Sequence, residues 1–184
     1  EIYTLSLHDA LSILIQDEYF SRDYVSAYAL ANTLMTELPK VTDPQARLEG
    51  MTRIIQMLNT VAVGQYGLAL DYARQMKALL PSGKGQCYAK TLALQSLLYE
   101  DKVISTDPAF QDAIDTCLFA GESRQAGALQ LDLASKMVDE GHSRRSIAYL
   151  HSISSEIKAS GYKPYLASLP VSLAQAYVSL GDDA

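Results

Sequence analysis

Residues 43–81 read DPQARLEGMTRIIQMLNTVAVGQYGLALDYARQMKALLP, and this stretch decides the fold class. Leu48, Met51, Ile54, Ile55, Leu58 and Val61 recur at three- and four-residue steps, the period that lines apolar side chains along one stripe of an α-helix. Asp43-Pro44 marks the start, a side-chain acceptor for free backbone N–H groups followed by a proline already set at a helical φ. Gly64 closes this helix. Ala69, Tyr72, Ala73, Met76 and Leu80 form the stripe of a second helix, which stops at Pro81. Two such helices make a hairpin, and one hairpin alone cannot bury its apolar side.

The same unit recurs on both sides. Upstream, Arg22–Leu38 reads as the second helix of an incomplete hairpin ending at Pro39. Downstream, Ala89, Leu94, Leu97 and Leu98 mark a helix from about Gln86 to Tyr99. Asp107-Pro108 opens another that carries Phe110, Ala113, Ile114, Cys117 and Leu118 and closes at Gly121. Leu129, Leu133, Met137 and Val138 precede a turn at Gly141. Ser143 is the expected cap of a helix bearing Ile147, Leu150, Ile153 and Ile157, which Gly161 ends. A last helix from about Pro164 runs through Leu173, Ala174, Tyr177 and Leu180 to Gly181, and Pro170 within it predicts a late start or a kink. Only Lys102–Ser105 has β character, too little for a sheet. The expected fold is all-α, a right-handed helical-hairpin repeat array stacked as an α-solenoid.

Bulk composition narrows the function classes. With 48% hydrophobic and 20% charged residues, the chain has the balance of a packed globular protein rather than a disordered one. A net charge of −6 gives no electrostatic attraction to phosphate backbones, so no nucleic-acid partner is expected. No apolar run approaches the roughly 18 residues a membrane span needs, so no span is expected within these residues.

Internal spacing adds a resemblance. Ala27 and Ala69 are 42 residues apart, as are Pro39 and Pro81, while Gly141 and Gly181 are 40 apart. A small residue or glycine closing the first helix, an alanine early in the second and a proline at the end, as at Gly64, Ala69 and Pro81, resembles the tetratricopeptide repeat. Residues 130–157 match more loosely, with Leu133, Ala134 and Gly141 in place but Ser146 where alanine is usual. The tetratricopeptide period is about 34 residues, whereas HEAT-like pairs repeat at about 40–47, so the HEAT-like array is the alternative architecture. Ala113-Ile114 with Cys117 and Gly121-Glu122, then Leu131-Asp132-Leu133-Ala134, Ser160-Gly161-Tyr162 and Ala174-Gln175-Ala176-Tyr177 resemble the tetratricopeptide sensor regions of gammaproteobacterial signalling proteins. In that family the array precedes a membrane helix and a GGDEF diguanylate cyclase or histidine kinase domain. The resemblance implies a protein or peptide partner, a membrane-anchored full-length protein and a periplasmic location rather than a cytoplasmic one. Two other readings stand beside it: a cytosolic scaffold or transcription-regulator interaction module, and an accessory domain of an enzyme.

Glu1–Ile13 (EIYTLSLHDALSI) resembles the translated read-through of a sequencing-library adapter. The expected organisation is therefore a non-native segment over 1–13 and a repeat domain over 14–184, truncated at both ends. His8, Asp9 and Ser12 are discounted as a catalytic group for that reason.

The remaining candidates are few. Cys87 and Cys117 fall on apolar faces at comparable distances from the turn near residue 103. A disulfide and two small buried thiols both fit this placement. The signalling resemblance favours the disulfide, and an oxidised pair would point to an oxidising compartment. Two cysteines alone make no zinc site, so no metal and no cofactor is expected. No serine stands in a nucleophile-elbow context, and Ser82-Gly83-Lys84-Gly85 is a short turn without a preceding strand, not a phosphate loop. No catalytic residue is assigned. On the tetratricopeptide register the concave binding face draws on Ile54, Leu58, Gln95, Leu131, Ser135 and Gln175. These lack the Lys, Arg and Asn of a carboxylate clamp for peptide C-termini. Tyr66, Tyr88, Tyr99, Tyr149, Tyr162 and Tyr165 are further contact candidates, each equally suited to packing with a wet hydroxyl.

Overall fold

A computed structural model describes residues 7–182, with the side chains of residues 10–181. Among these, nine α-helices and one short 3₁₀ turn form, and no strand. The protein is all-α. The chain divides into two compact units, Glu1–Lys102 and Val103–Ala184.

The first unit contains α1 (Leu7–Phe20), α2 (Tyr24–Glu37), a 3₁₀ turn over Leu38–Lys40 that absorbs Pro39, α3 (Pro44–Leu58), α4 (Tyr66–Leu79) and α5 (Gly83–Tyr99). Side-chain caps start three of them. Asp23 accepts from the Ser26 N–H at 3.1 Å, Asp43 from the Ala46 N–H at 2.7 Å and the Ser82 hydroxyl from the Gly85 N–H at 3.1 Å. Each satisfies a backbone donor that the first turn leaves free. The Ser82 cap lets α5 begin at Gly83, three residues earlier than the apolar pattern alone indicates.

Each helix packs on the next, and α1 also packs on α3 and α3 on α5. Among the described residues α2 and α4 have no comparable contact. The shared core holds Leu34, Ile54, Ile55, Leu58 and Met76, with Ala27, Ala31, Ala69 and Ala73 where the helices cross. Burying one such leucine or isoleucine stabilises the fold by roughly 1.5–3 kcal/mol. Alanine contributes differently, since its single methyl lets the backbones approach. α1 begins inside the adapter-like segment, and its Leu11 is buried in this core. The side chains of His8 and Asp9 lie outside the described residues.

The unit ends on a helix stop made without glycine. Asp101 takes a left-handed φ of 53°, the Lys102 N–H bonds the Leu97 carbonyl at 2.9 Å and the Asp101 N–H bonds Leu98 at 3.0 Å. This hydrogen-bond pair is the Schellman closure, in which aspartate is one of the few side-chain-bearing residues that tolerates the conformation.

The second unit contains α6 (Pro108–Phe119), α7 (Ser123–Asp139), α8 (Ser143–Ala159) and α9 (Lys163–Asp182). Here α6 packs on α7, α7 on α8, α8 on α9 and α7 on α9. Leu131, Ala134, Leu150, Ile153, Ile157 and Leu169 form a core flanked by Tyr149, Tyr165 and Leu173. Asp107 caps α6 through the Ala109 N–H at 2.8 Å. Gly121 and Gly141, at φ +74° and +75°, close α6 and α7 with the same paired bonds seen at Asp101. Ser146, placed where the repeat pattern has alanine, is fully buried and donates its hydroxyl to the Ala134 carbonyl at 2.8 Å. The substitution is tolerated because the hydroxyl is both small and satisfied.

Four boundary expectations need correction. Gly64 does not close α3, which ends at Leu58 with Asn59 as its C-cap, and Val61 lies in the turn beyond, 85% exposed, rather than on the buried stripe. Ser143 does not cap α8: His142 holds that position without a side-chain bond, and Ser143 is the first helical residue. Its buried hydroxyl instead meets the Ser179 hydroxyl of α9 at 2.9 Å. Pro170 does not delay α9, which runs from Lys163 through it. The Leu166 carbonyl that loses its donor there belongs to an exposed turn, where water can bond it. Gly181 does not end α9 but lies within it.

Two glycine substitutions test this packing. A Cβ on Gly85 would strike the carbonyl oxygen and, at 2.6 Å, the Cβ of Leu80, whereas a Cβ on Gly67 in α4 meets nothing. Alanine is favoured over glycine within a helix by up to about 1 kcal/mol. Gly67→Ala is therefore expected to be neutral or stabilising, and Gly85→Ala to destabilise by about 1–3 kcal/mol through overpacking. Urea unfolding followed by circular dichroism reads both, and a stabilising Gly85→Ala would contradict the close α4–α5 approach.

Candidate functional site

The six residues assigned by register to a concave face divide sharply. Ile54 and Leu58 have no exposed surface and belong to the first unit's core. Leu131 is likewise buried, in the core of the second unit. Their apolar side chains are what the packed helices bury, so they have nothing to offer a ligand. Gln95 is half-buried on α5. Ser135 and Gln175 are exposed, and α7 and α9 bring them to one groove of about 260 Å³ together with Val138, Asp139 and Ser172. Two hydroxyls, an amide and a carboxylate there supply donors and acceptors with one negative charge. The arrangement suits binding.

A second, larger cleft of about 490 Å³ lies between the start of α6, α7 and α8. Phe110, Leu133 and Met137 form its buried apolar base. Arg145 and Tyr149 reach it from α8, Asp107 and Gln111 from the start of α6. Sequence reasoning did not single out Arg145, because an exposed pair of arginines on a helix carries no periodic signal. Burial, and the nearby Glu156 carboxylate, push the Tyr149 phenol up to about 12. It therefore stays a neutral donor at physiological pH.

One edge of this cleft is fastened by a carboxylate clamp. Glu140, the residue capping the C-terminus of α7, accepts the Ser105 N–H at 3.0 and 3.2 Å and the Ser105 hydroxyl at 2.5 Å. Lys136 lies 3.8 Å from the same carboxylate. Partial burial pushes the Glu140 carboxyl up. The Ser105 hydroxyl and N–H, with the electrostatic influence of Lys136 and His142, outweigh that and hold it below its ordinary value. The segment entering α6 is thereby tied to the end of α7.

The tyrosines serve packing at several places. Tyr66 stacks on Tyr99 with centroids 5.6 Å apart, and Tyr162 meets Tyr165 edge-on at 4.6 Å with Arg124 over its ring. Tyr165 also covers Gly127, where a Cβ would come within 3.1 Å of the ring, so α9 approaches α7 closely at that point. Tyr88 carries Lys84 over its face. His142 and His151 are exposed, the latter 3.4 Å from the Tyr177 hydroxyl. Among the described residues no three His, Cys, Asp or Glu side chains converge as a metal-ligand set. No helix described is long and apolar enough to cross a membrane. Cys87 in α5 and Cys117 in α6 are both fully buried, and each is disulfide-bonded rather than free. No protein-family model, no curated protein and no solved structure matches this chain.

Glu140→Gln tests the clamp. Bonds to a charged acceptor are worth about 1.5–3 kcal/mol, and partial exposure of the carboxylate reduces this, so a loss of about 1–2 kcal/mol is expected at pH 7. A carboxyl whose native pKa is depressed contributes stability above its ordinary value of 4.5, and that contribution fades as pH falls through the native value. The gap between wild type and variant should thus narrow from pH 7 to pH 3 in urea titrations. A gap of constant size would show that charge is not what Glu140 contributes.

Proposed function

We propose that this chain is a protein- or ligand-binding helical-repeat region of tetratricopeptide type, the sensory or interaction part of a bacterial signalling protein of the diguanylate cyclase kind, with no catalysis of its own. The observation that carries the reading is the groove between α7 and α9, where Ser135 and Gln175 stand exposed over a packed helix pair. In a tetratricopeptide array the first helices of successive hairpins pack on one another and line the binding side. α1 on α3, α3 on α5 and α7 on α9 have that relation within their units. Buried alanines and Ser146 at the crossings support the same architecture.

The oxidised cysteines support the periplasmic side of the reading, since such bonds persist in oxidising compartments and are rare in the cytosol. A sensor placed there needs an apolar helix of about 20 residues to reach an output domain across the membrane.

Two measurements test the proposal. The complete reading frame is expected to encode a membrane helix and a cyclase or kinase domain after residue 184; a DNA-binding or ATPase domain without a membrane helix would overturn the signalling role in favour of a cytosolic module. Thiol titration of denatured but unreduced protein recovered from its native compartment is expected to find no free thiol, and two after reduction. Two thiols before reduction would rule out the oxidising compartment.

A further inference from the structure

The larger cleft in the second unit carries charges that its own structure leaves unused. Of the side chains lining it, only Asp107 and Arg145 are charged. Among the described residues they pair neither with each other nor with any other charged group. The Arg145 guanidinium makes no hydrogen bond, and Asp107 uses one oxygen for the Ala109 N–H at 2.8 Å, leaving the other with its lone pairs available. Three of the other polar side chains already have partners. Ser152 donates to the Tyr149 carbonyl at 2.7 Å, Gln111 to Asp115 at 2.8 Å and Ser105 to Glu140. Beneath lies an apolar base of Phe110, Leu133 and Met137, exposed to 1%, 6% and 3%.

We propose that this cleft binds a free amino acid with an apolar side chain, Arg145 holding its carboxylate, Asp107 its ammonium group, and the apolar base its side chain. A guanidinium offers a carboxylate two parallel N–H donors, the strongest pairing available to it. A carboxylate with open lone pairs is the corresponding acceptor for an ammonium. A simple anion would be repelled by Asp107 and a simple cation by Arg145, whereas a zwitterion satisfies both. A volume of about 490 Å³ falls in the range of small-molecule sites, which combine apolar walls with a few convergent polar groups. An internal peptide segment lacks both charges. The site shares no lining residue with the groove between α7 and α9, so it stands apart from the function proposed above.

Isothermal titration of the chain with L-phenylalanine and L-leucine tests this. Saturable one-to-one binding is expected, weakened about tenfold or more, or 1.4 kcal/mol, by Arg145→Gln and by Asp107→Asn. Asparagine caps a helix as well as aspartate does, so Asp107→Asn removes the charge while α6 keeps its start, which circular dichroism verifies. Two derivatives test the same contacts in the unaltered chain. L-phenylalaninamide, without the carboxylate, and N-acetyl-L-phenylalanine, without the ammonium, should each bind at least about tenfold more weakly than phenylalanine. The amide should then lose nothing further in Arg145→Gln. No saturable binding up to about 10 mM, or binding equally tight in both variants and to both derivatives, would overturn the proposal.

Discussion

Every helix described here depends on a neighbour to cover its apolar stripe, and the contact is made where two backbones cross over a small residue. Ala27, Ala31, Ala69 and Ala73 in the first unit, and Ala134 and Ser146 in the second, are almost entirely buried. Larger side chains at these crossings would hold the helices apart and expose Leu34, Ile54, Leu58 and Leu150, whose burial provides most of the favourable free energy. The helical fold is thus held by a division of labour along each helix, with small residues setting the approach and large ones filling the space beside it.

Polar groups follow from the same constraint. A helix that ends against a packed neighbour leaves backbone donors and acceptors that must be satisfied locally. Asp23, Asp43, Ser82 and Asp107 meet the donors, and the left-handed closures at Asp101, Gly121 and Gly141 meet the acceptors. Where a loop leaves a free serine, as at Ser105, the C-terminal carboxylate of a helix is recruited instead. Binding capacity arises in what these arrangements leave open: an exposed hydroxyl and amide over α7 and α9, and two unmatched charges above an apolar base beside α6.

The helices themselves were legible because a 3.6-residue period and a capping residue are properties of neighbouring positions. The Asp-Pro pairs at 43–44 and 107–108 mark the starts of α3 and α6, and Gly121 and Gly141 the ends of α6 and α7. Errors fell where a local signal met a tertiary partner. Ser143 has the chemistry of a cap, yet Ser179, 36 residues on, takes its hydroxyl. Of the late start or kink expected at Pro170, the late start does not occur, because the exposed turn before it tolerates the missing bond. Of the candidate binding face, Ser135 and Gln175 lie together in a groove, while Ile54, Leu58 and Leu131 are buried. A register position says which way a helix faces within a repeat, not whether the next helix covers it.

Sequence alone therefore determined that this chain is helical and where most of its helices begin and end. Those properties are written in the spacing and type of adjacent residues. Tertiary structure decided which apolar positions are core, that Glu140 fastens Ser105, and that Arg145 and Asp107 share one cleft. The last two bring together residues 35 and 38 positions apart, whose meeting depends on how helices pack rather than on anything either residue's neighbours encode.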